Sequence, residues 1–575
     1  MRFRSPLSLL TALVLALTTA CTGLLGEAAA GPDGVGPGPG PGDGPRDPGG
    51  NPIDPSDPVD PGEPIVCEGE APGRRSLRLL TRDEYRATVA DLLGIAAPDV
   101  DSFPVETSVR GYDNESNAQL VTGRHADAYA GAAETLVATV DPARFAACDL
   151  SATSCQRQLV EAFGRRAFRR PLASDEVDRY VALFASELIV GDARIGARLA
   201  MEAMLASPSF LYRSEVGEAQ ADGTFALTSW EIATALSYLF WGTMPDDALF
   251  ALAESDSLRD TAIIEREARR MLDDPRSEDA VAAFVSRWLG TTRLLGTNRD
   301  ATLFPGFTDT VRESMLAEER AFVRHVMYEG TGRFSELFSA DYLMVDANLR
   351  TYYGLGAGGS AAFERVSAPP ERVGGLLVMG SVMASHAHSN ESSPIRRGLF
   401  VRDRLLCQDL PPPPANADTT PPGLDPTLTT RERFRRHTDD PVCSSCHQFI
   451  DGVGFPFERF DAVGAYREQE NGLAIDTSGE LIGVETLSDG ARLALSSPQD
   501  LAAQISESDT ARDCMARQWW RWARGTIERD AGDACSVRAL ATRFDESGGD
   551  LRELMVAVVT QPSFRIRRAA EEVAP

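Results

Sequence analysis

Two thiols three residues apart, followed at once by an imidazole, stand at Cys443, Cys446 and His447 in the stretch Pro441-Val442-Cys443-Ser444-Ser445-Cys446-His447. This is the attachment pattern of a covalent c-type haem. On one helical turn both cysteines fall on the same face, and each can form a thioether to a haem vinyl group. His447 then projects beneath the macrocycle and can ligate iron as the proximal base. Three other chemistries compete for the same residues. A thioredoxin-like dithiol wants a strand–helix setting, whereas Thr438-Asp439-Asp440-Pro441 reads as a turn. A zinc site needs four ligands; His437 could join the set, but adjacent Cys446 and His447 make an awkward chelate. A disulfide between Cys443 and Cys446 would be strained.

The sixth iron ligand is sought next. Small c-type cytochromes use a downstream Met. Here only Met515 and Met555 follow His447, both in a late helical stretch. His386 and His388, in Ser385-His386-Ala387-His388, lie upstream in the same candidate domain and are the expected metal ligands beside His447. His437, Met379 and Met383 are further options. An open sixth position would favour ligand or peroxide chemistry over electron transfer.

Composition removes whole classes of function. The chain has 575 residues and a formal charge of −28, so nucleic acid is not an expected partner. All 57 basic residues are Arg, which excludes a Schiff-base lysine, a lysine general base and the Lys of a phosphate-binding loop. His-Glu-x-x-His is absent too. With 85 acidic residues, a pair of carboxylates is unremarkable, and no motif singles one out for hydrolysis.

Residues 1–20 read as an export signal: Arg2 and Arg4 precede an apolar run from Leu7 to Leu17. Leu17-Thr18-Thr19-Ala20-Cys21 looks like a bacterial lipobox, which implies cleavage before Cys21 and lipidation of its thiol. Gly, Pro and Asp dominate residues 22–66, a composition that cannot bury a core and suits a spacer. Export implies an oxidising compartment. Cys21 goes to lipid and Cys443 and Cys446 to haem, leaving six cysteines. The local pairings expected are Cys148 with Cys155 and Cys514 with Cys535, which leaves Cys67 for Cys407.

These sites need elements to hold them, and the periodicity predicts helices. Thr81 and Glu84 form a capping box ahead of Tyr85, Val89, Leu92 and Leu93, with Gly94 as the stop. Thr228 and Glu231 form a second, opening an apolar helix to Trp241. Residues 261–290 and 311–330 continue the helical period, with Phe240, Trp241 and Trp288 as core. A short β-hairpin is expected within 465–483, turning at Asn471-Gly472 and Ser478-Gly479. One internal similarity stands out. A helix entered at Cys155, a second helix and Pro208-Ser209-Phe210 are echoed by a helix entered at Cys514, a second helix and Pro562-Ser563-Phe564. We read two copies of one helical module, packed together. The expected fold is mainly α: several helical modules plus a small cytochrome-c-like segment with a β-hairpin. Its expected divisions are 1–20 (signal peptide), 21–66 (anchor and linker), 67–147 (N-terminal helices), 148–225 (module A), 226–369 (central helices), 370–492 (haem-motif domain) and 493–575 (module B).

The ordered set of segments resembles a family of exported planctomycete and myxobacterial proteins built from several domains of unknown function, the planctomycete cytochrome-like proteins. The matching stretches are Leu80 to Tyr85, Arg166-Ala167-Phe168-Arg169-Arg170-Pro171-Leu172, Leu227 to Trp241, Ser392 to Gly398 with the prolines at 411–414, Cys443 to Asp461, and Trp519 to Phe564. The resemblance implies a haem-bearing segment in a mostly helical envelope protein, with no settled activity. Relatives often carry Met where Ile450 stands, a position read here as packing. The expected function is an anchored c-type haem protein in electron transfer or haem-based redox chemistry, facing periplasm or cell surface, with an unidentified redox partner protein and membrane contact through its lipid. The alternative is a surface binding or scaffold lipoprotein, for polysaccharide, in which Cys-x-x-Cys-His is structural.

Overall fold

The computed structural model describes residues 67, 73, 75–185, 192–411, 420, 422–438, 441–484 and 492–568. The expected leader at 1–20, the lipobox Cys21, the spacer at 22–66 and Pro412 to Pro414 lie outside them. The described chain is mainly helical, with small antiparallel sheets.

β1 (Arg78–Leu79) leads into α1 (Arg82–Leu93), where Thr81 and Glu84 close the capping box and Gly94 ends the helix at φ 60°. α2 (Gly123–Val137), α3 (Thr153–Ala167), α4 (Ser174–Ala182) and α5 (Ala193–Leu205) follow. Then α6 (Pro208–Leu211) turns the chain into β2 (Tyr212–Arg213), which pairs antiparallel with β1. Their inner faces make a core built on Tyr85, Leu159, Phe163, Met201 and Phe210, to which Tyr238, Met244 and Phe250 from further along the chain contribute.

The next stretch runs through β3 (Glu218–Ala219), β4 (Thr224–Ala226), α7 (Ser229–Trp241), α8 (Asp247–Glu254), α9 (Thr261–Leu272), α10 (Arg276–Leu289), α11 (Asp309–Tyr328), α12 (Glu336–Ser339), β5 (Tyr342–Val345), α13 (Ala347–Tyr352) and β6 (Glu364–Ser367). The segment holding the cysteine motif comprises α14 (Gly380–Ser385), α15 (Pro394–Phe400), a π-helical turn at Val401–Leu405, α16 (Thr430–Thr438), α17 (Pro441–Gly454), a 3-10 turn at Phe455–Arg459, β7 (Gln469–Glu470), β8 (Leu473–Ala474), β9 (Gly479–Ile482) and β10 (Arg492–Leu495). The hairpin is β7–β8, turning at Asn471 (φ 53°) and Gly472 (φ 78°), the left-handed pair that a two-residue turn requires. Ser478-Gly479 is not a second hairpin turn, because β9 pairs instead with β10. Last come α18 (Pro498–Glu507), α19 (Asp509–Arg524), α20 (Ala531–Glu546), α21 (Leu551–Thr560), α22 (Pro562–Arg565) and β11 (Ile566–Arg568), which pairs with β4.

Beside a smaller core built on Leu294, Phe307, Met315, Leu343 and Leu349, most elements from residue 227 onward share one main core. It contains Phe240, Trp288 and Phe322, then Met379, Met383, Phe457 and Phe460 around the motif segment, then Trp519, Trp520 and Phe564. The two similar stretches do carry the same order of elements: three helices, a short helix opened by Pro208 or Pro562, then a strand. They do not pack together as one body, since Phe210 belongs to the N-terminal core and Phe564 to the main one.

The disulfides correct the expected pairing. Cys148 bonds Cys155, as proximity suggests, but Cys514 bonds Cys407 and Cys535 bonds Cys67. The reason is helix geometry. α19 and α20 form a helical hairpin; Cys514 stands about 15 Å before its connection and Cys535 only about 6 Å after it, at 1.5 Å per residue. That offset of about 9 Å exceeds the reach of a disulfide.

Candidate functional site

α17 carries the motif. Cys443, Cys446, His447, Ile450 and Gly454 are spaced i, i+3, i+4, i+7 and i+11, so they form one stripe along the helix. The lower half of the stripe is clamped. A Cβ on Gly398 would stand 2.2 Å from the Ile450 carbonyl oxygen, and one on Gly454 would stand 2.1 Å from that of Pro394. The two approaches run in opposite senses, so α15 and α17 lie antiparallel, backbone to backbone. Ile450 is buried in this contact, which accounts for it as packing. On another face, Gly452 meets the Glu480 carbonyl of β9, where a Cβ would stand at 2.4 Å.

The upper half is open. Cys443 and Cys446 are both half-buried and not disulfide-bonded to each other. His447 Nδ1 lies 3.0 Å from Asp451 Oδ1, one turn further along. A carboxylate only accepts, so Nδ1 carries the proton and donates it, and in the neutral ring Nε2 is then the basic nitrogen. Both side chains are mostly shielded, at 19% and 13% exposure.

The expected sixth ligands fare differently. His386 is excluded as a ligand in this arrangement. Its Nε2 donates to the Leu289 carbonyl at 2.8 Å, and Nδ1 accepts from Arg293 Nη2 at 3.2 Å, so neither nitrogen is left for a metal. Burial, with Arg293 beside it, pushes its pKa down to about 3. His388 is half-buried, and burial with Arg396 and Arg299 lowers it; its backbone N–H donates to the Glu391 carbonyl. Among the described residues no group of three or more His, Cys, Asp or Glu is gathered to hold a metal, so neither His386 nor His388 is assembled with His447 and the thiols. The side chain of His437 lies outside the described residues. Met379, Met383, Met515 and Met555 are all packed in the main core, as are Phe457 and Phe460.

Two arginines do the local positioning. Arg397, fully buried, donates to the carbonyls of Phe457, Phe460, Met383 and Asp461 at 3.0, 2.7, 3.2 and 2.7 Å. It thereby ties α15 and α14 to the turn that follows α17. Glu458, buried beside Arg397 and Arg467, accepts from Ser392; burial raises it and the two guanidiniums partly offset that. Arg402, in the π turn, donates to the carbonyls of Phe449 and Ile482 and to Gln408. Its Nη2 is buried without any partner, and no carboxylate pairs with it among the described residues. Burial alone pulls its pKa down to about 10.

A second buried acidic group sits on α11. Glu318 accepts from Tyr353 at 2.5 Å and is pushed up to about 8 by burial. Glu319 is ringed by the hydroxyls of Ser286, Thr291 and Ser381. These groups brace α11 against its neighbours. Asp451 and Arg402 are what the sequence reading missed. An acid four residues after His447, inside a helix, is a signal that could have found Asp451.

Five family models match successive parts of the chain, each described as a protein of unknown function: DUF1587 over 78–142, DUF1595 over 155–215, DUF1592 over 227–355, DUF1588 over 373–470 and DUF1585 over 493–564. The matches follow one another along residues 78–564 without overlap. The DUF1588 stretch, whose short name PSCyt3 carries a cytochrome-type label, contains α17 and every residue of its stripe. The two stretches with like element order match different models, DUF1595 and DUF1585. No curated protein and no solved structure matches the chain. No helix among the described residues is long and apolar enough to cross a membrane.

Proposed function

We propose that this protein carries a covalent haem c on α17, is anchored at the cell envelope, and works in electron transfer or haem-based redox chemistry. The observation that carries the reading is the stripe: two cysteines outside any disulfide and an imidazole on one helix face, with the imidazole hydrogen-bonded to Asp451. Attachment needs no oxidant. Each Cys S–H adds across a vinyl double bond, forming one S–C bond while the thiol hydrogen goes to the neighbouring carbon. Bound there, haem would supply a one-electron iron couple. His447 would ligate the iron, and Asp451 would fix its tautomer.

A second observation supports the fit. Arg402 is a buried cation with an unfilled donor, in a π turn against α17, and an acceptor is what it lacks. A haem carboxylate is such an acceptor. The cytochrome label of the matching domain agrees. The basic and apolar leader, the lipobox at Cys21 and the spacer to residue 66 support an envelope lipoprotein facing periplasm or cell surface, with a redox protein as partner.

The test is a pyridine haemochrome spectrum of the full chain, expressed with a c-type haem maturation system. Covalent haem at about one per chain is the expected result. No covalent haem, with Cys443 and Cys446 forming a disulfide or binding zinc, overturns the reading in favour of a structural motif.

A further inference from the structure

We infer that Asp451 is the positioning residue that holds the reduction potential of an iron bound by His447 low. The inference rests on the haem reading above and deepens it.

It begins with local geometry. Inside α17 the side chain four residues on lies one turn away on the same face, so an acceptor at 451 can meet a ring N–H at His447. Asp451, one turn on, supplies a carboxylate at 3.0 Å. A carboxylate is an anionic acceptor, and such charge-assisted bonds are about twice as strong as neutral ones. Shielding strengthens it further, because both side chains are largely removed from water.

The carboxylate is also held in place. Its neighbours Gly452 and Gly454 touch the Glu480 and Pro394 carbonyls so closely that no Cβ fits, which fixes the backbone on both sides of Val453 and just beyond Asp451. The nearby cation, Arg431, is engaged elsewhere. It donates to the Asp476 and Ser478 carbonyls and lies over the Phe455 ring at 4.2 Å. Among the described residues no arginine forms an ion pair with Asp451; its partner is His447. The negative charge thus bears directly on the imidazole, with Arg431 in its electrostatic reach but not paired to it.

The electrostatic consequence has a definite sign. Proton sharing with Asp451 raises the basicity of the ligating nitrogen. Ferric iron carries one more positive charge than ferrous iron, so a more donating ligand favours the ferric form and lowers the potential. The partner that reduces such a centre must itself be a strong reductant.

The experiment uses the full chain matured with haem, as wild type, Asp451→Asn and Asp451→Glu. Haem content is read by pyridine haemochrome and the midpoint potential by spectroelectrochemical titration. The expected result is unchanged haem content, a potential shifted upward in Asp451→Asn, and one close to wild type in Asp451→Glu, which keeps the charge. Where the Asn variant does not mature, Asp451→Ser removes the charge with less bulk and carries the same expectation. A charge-removing variant with one haem per chain and the wild-type potential overturns the inference while leaving the haem reading intact. Wild type without covalent haem overturns both.

Discussion

The two halves of α17 share one helical stripe and differ in what touches it. From Ile450 to Gly454 the helix is locked by backbone-to-backbone approaches to α15 and β9. From Cys443 to His447 the same face presents two half-buried cysteines outside any disulfide and an imidazole. The clamped half spends its residues on position and the open half on chemistry, and Asp451 and His447 join the two. Rigid elements beneath the constellation hold its helix in register.

Replacing residues in the clamped half and its supports should therefore be costly. The largest effect is expected from Arg397→Met, which strands four buried carbonyls; a loss of roughly 3–5 kcal/mol should appear in denaturant unfolding. Gly454→Val should cost about 2–4 kcal/mol in the same measurement, because its side chain meets the Pro394 backbone, which cannot move aside like a side chain. Breaking Cys407–Cys514 by a double Ala substitution opens a link across 107 residues and should cost about 2–4 kcal/mol, read as a lower melting temperature. A Cys443→Ser/Cys446→Ser pair, by contrast, should change stability by less than about 1 kcal/mol while abolishing covalent haem.

His386 adds a pH dependence that belongs to the support. In the fold its pKa is held at about 3, below its ordinary 6.5. As pH falls through 6.5 the unfolded chain takes up a proton that the folded chain refuses, so stability drops from there toward pH 3 and is complete above 6.5. The slope is at most about 1.4 kcal/mol per pH unit. Glu318 has the opposite sign. Raised to about 8, it contributes stability below its ordinary 4.5 that is lost as pH rises through 8. Unfolding midpoints from pH 7 down to pH 4 check this: the acid-side fall should be shallower in His386→Gln than in wild type.

Much of the fold was legible. Both capping boxes, the Gly94 stop and the Asn471-Gly472 hairpin follow from residues close in sequence, where local hydrogen bonding decides the outcome. The stripe of Cys443, Cys446 and His447 was legible for the same reason. The Cys407 and Cys535 pairings were not, because they depend on how helices far apart in the chain come to lie together. His386 illustrates the limit most plainly. As a residue type beside the motif it suggested a ligand, yet both ring nitrogens are consumed by Leu289 and Arg293, partners more than 90 residues away. Arg397 showed only as part of the Ser392 to Gly398 stretch and Arg402 gave no sequence signal, since the role of each is set by the carbonyls that tertiary packing brings to it.

The most direct test locates the haem on the chain. Arg-specific cleavage of matured protein releases residues 437–459, which hold both thiols, His447 and Asp451. Mass spectrometry of that fragment should show it carrying haem through Cys443 and Cys446. The fragment without haem, with its cysteines disulfide-linked or free, would contradict the account.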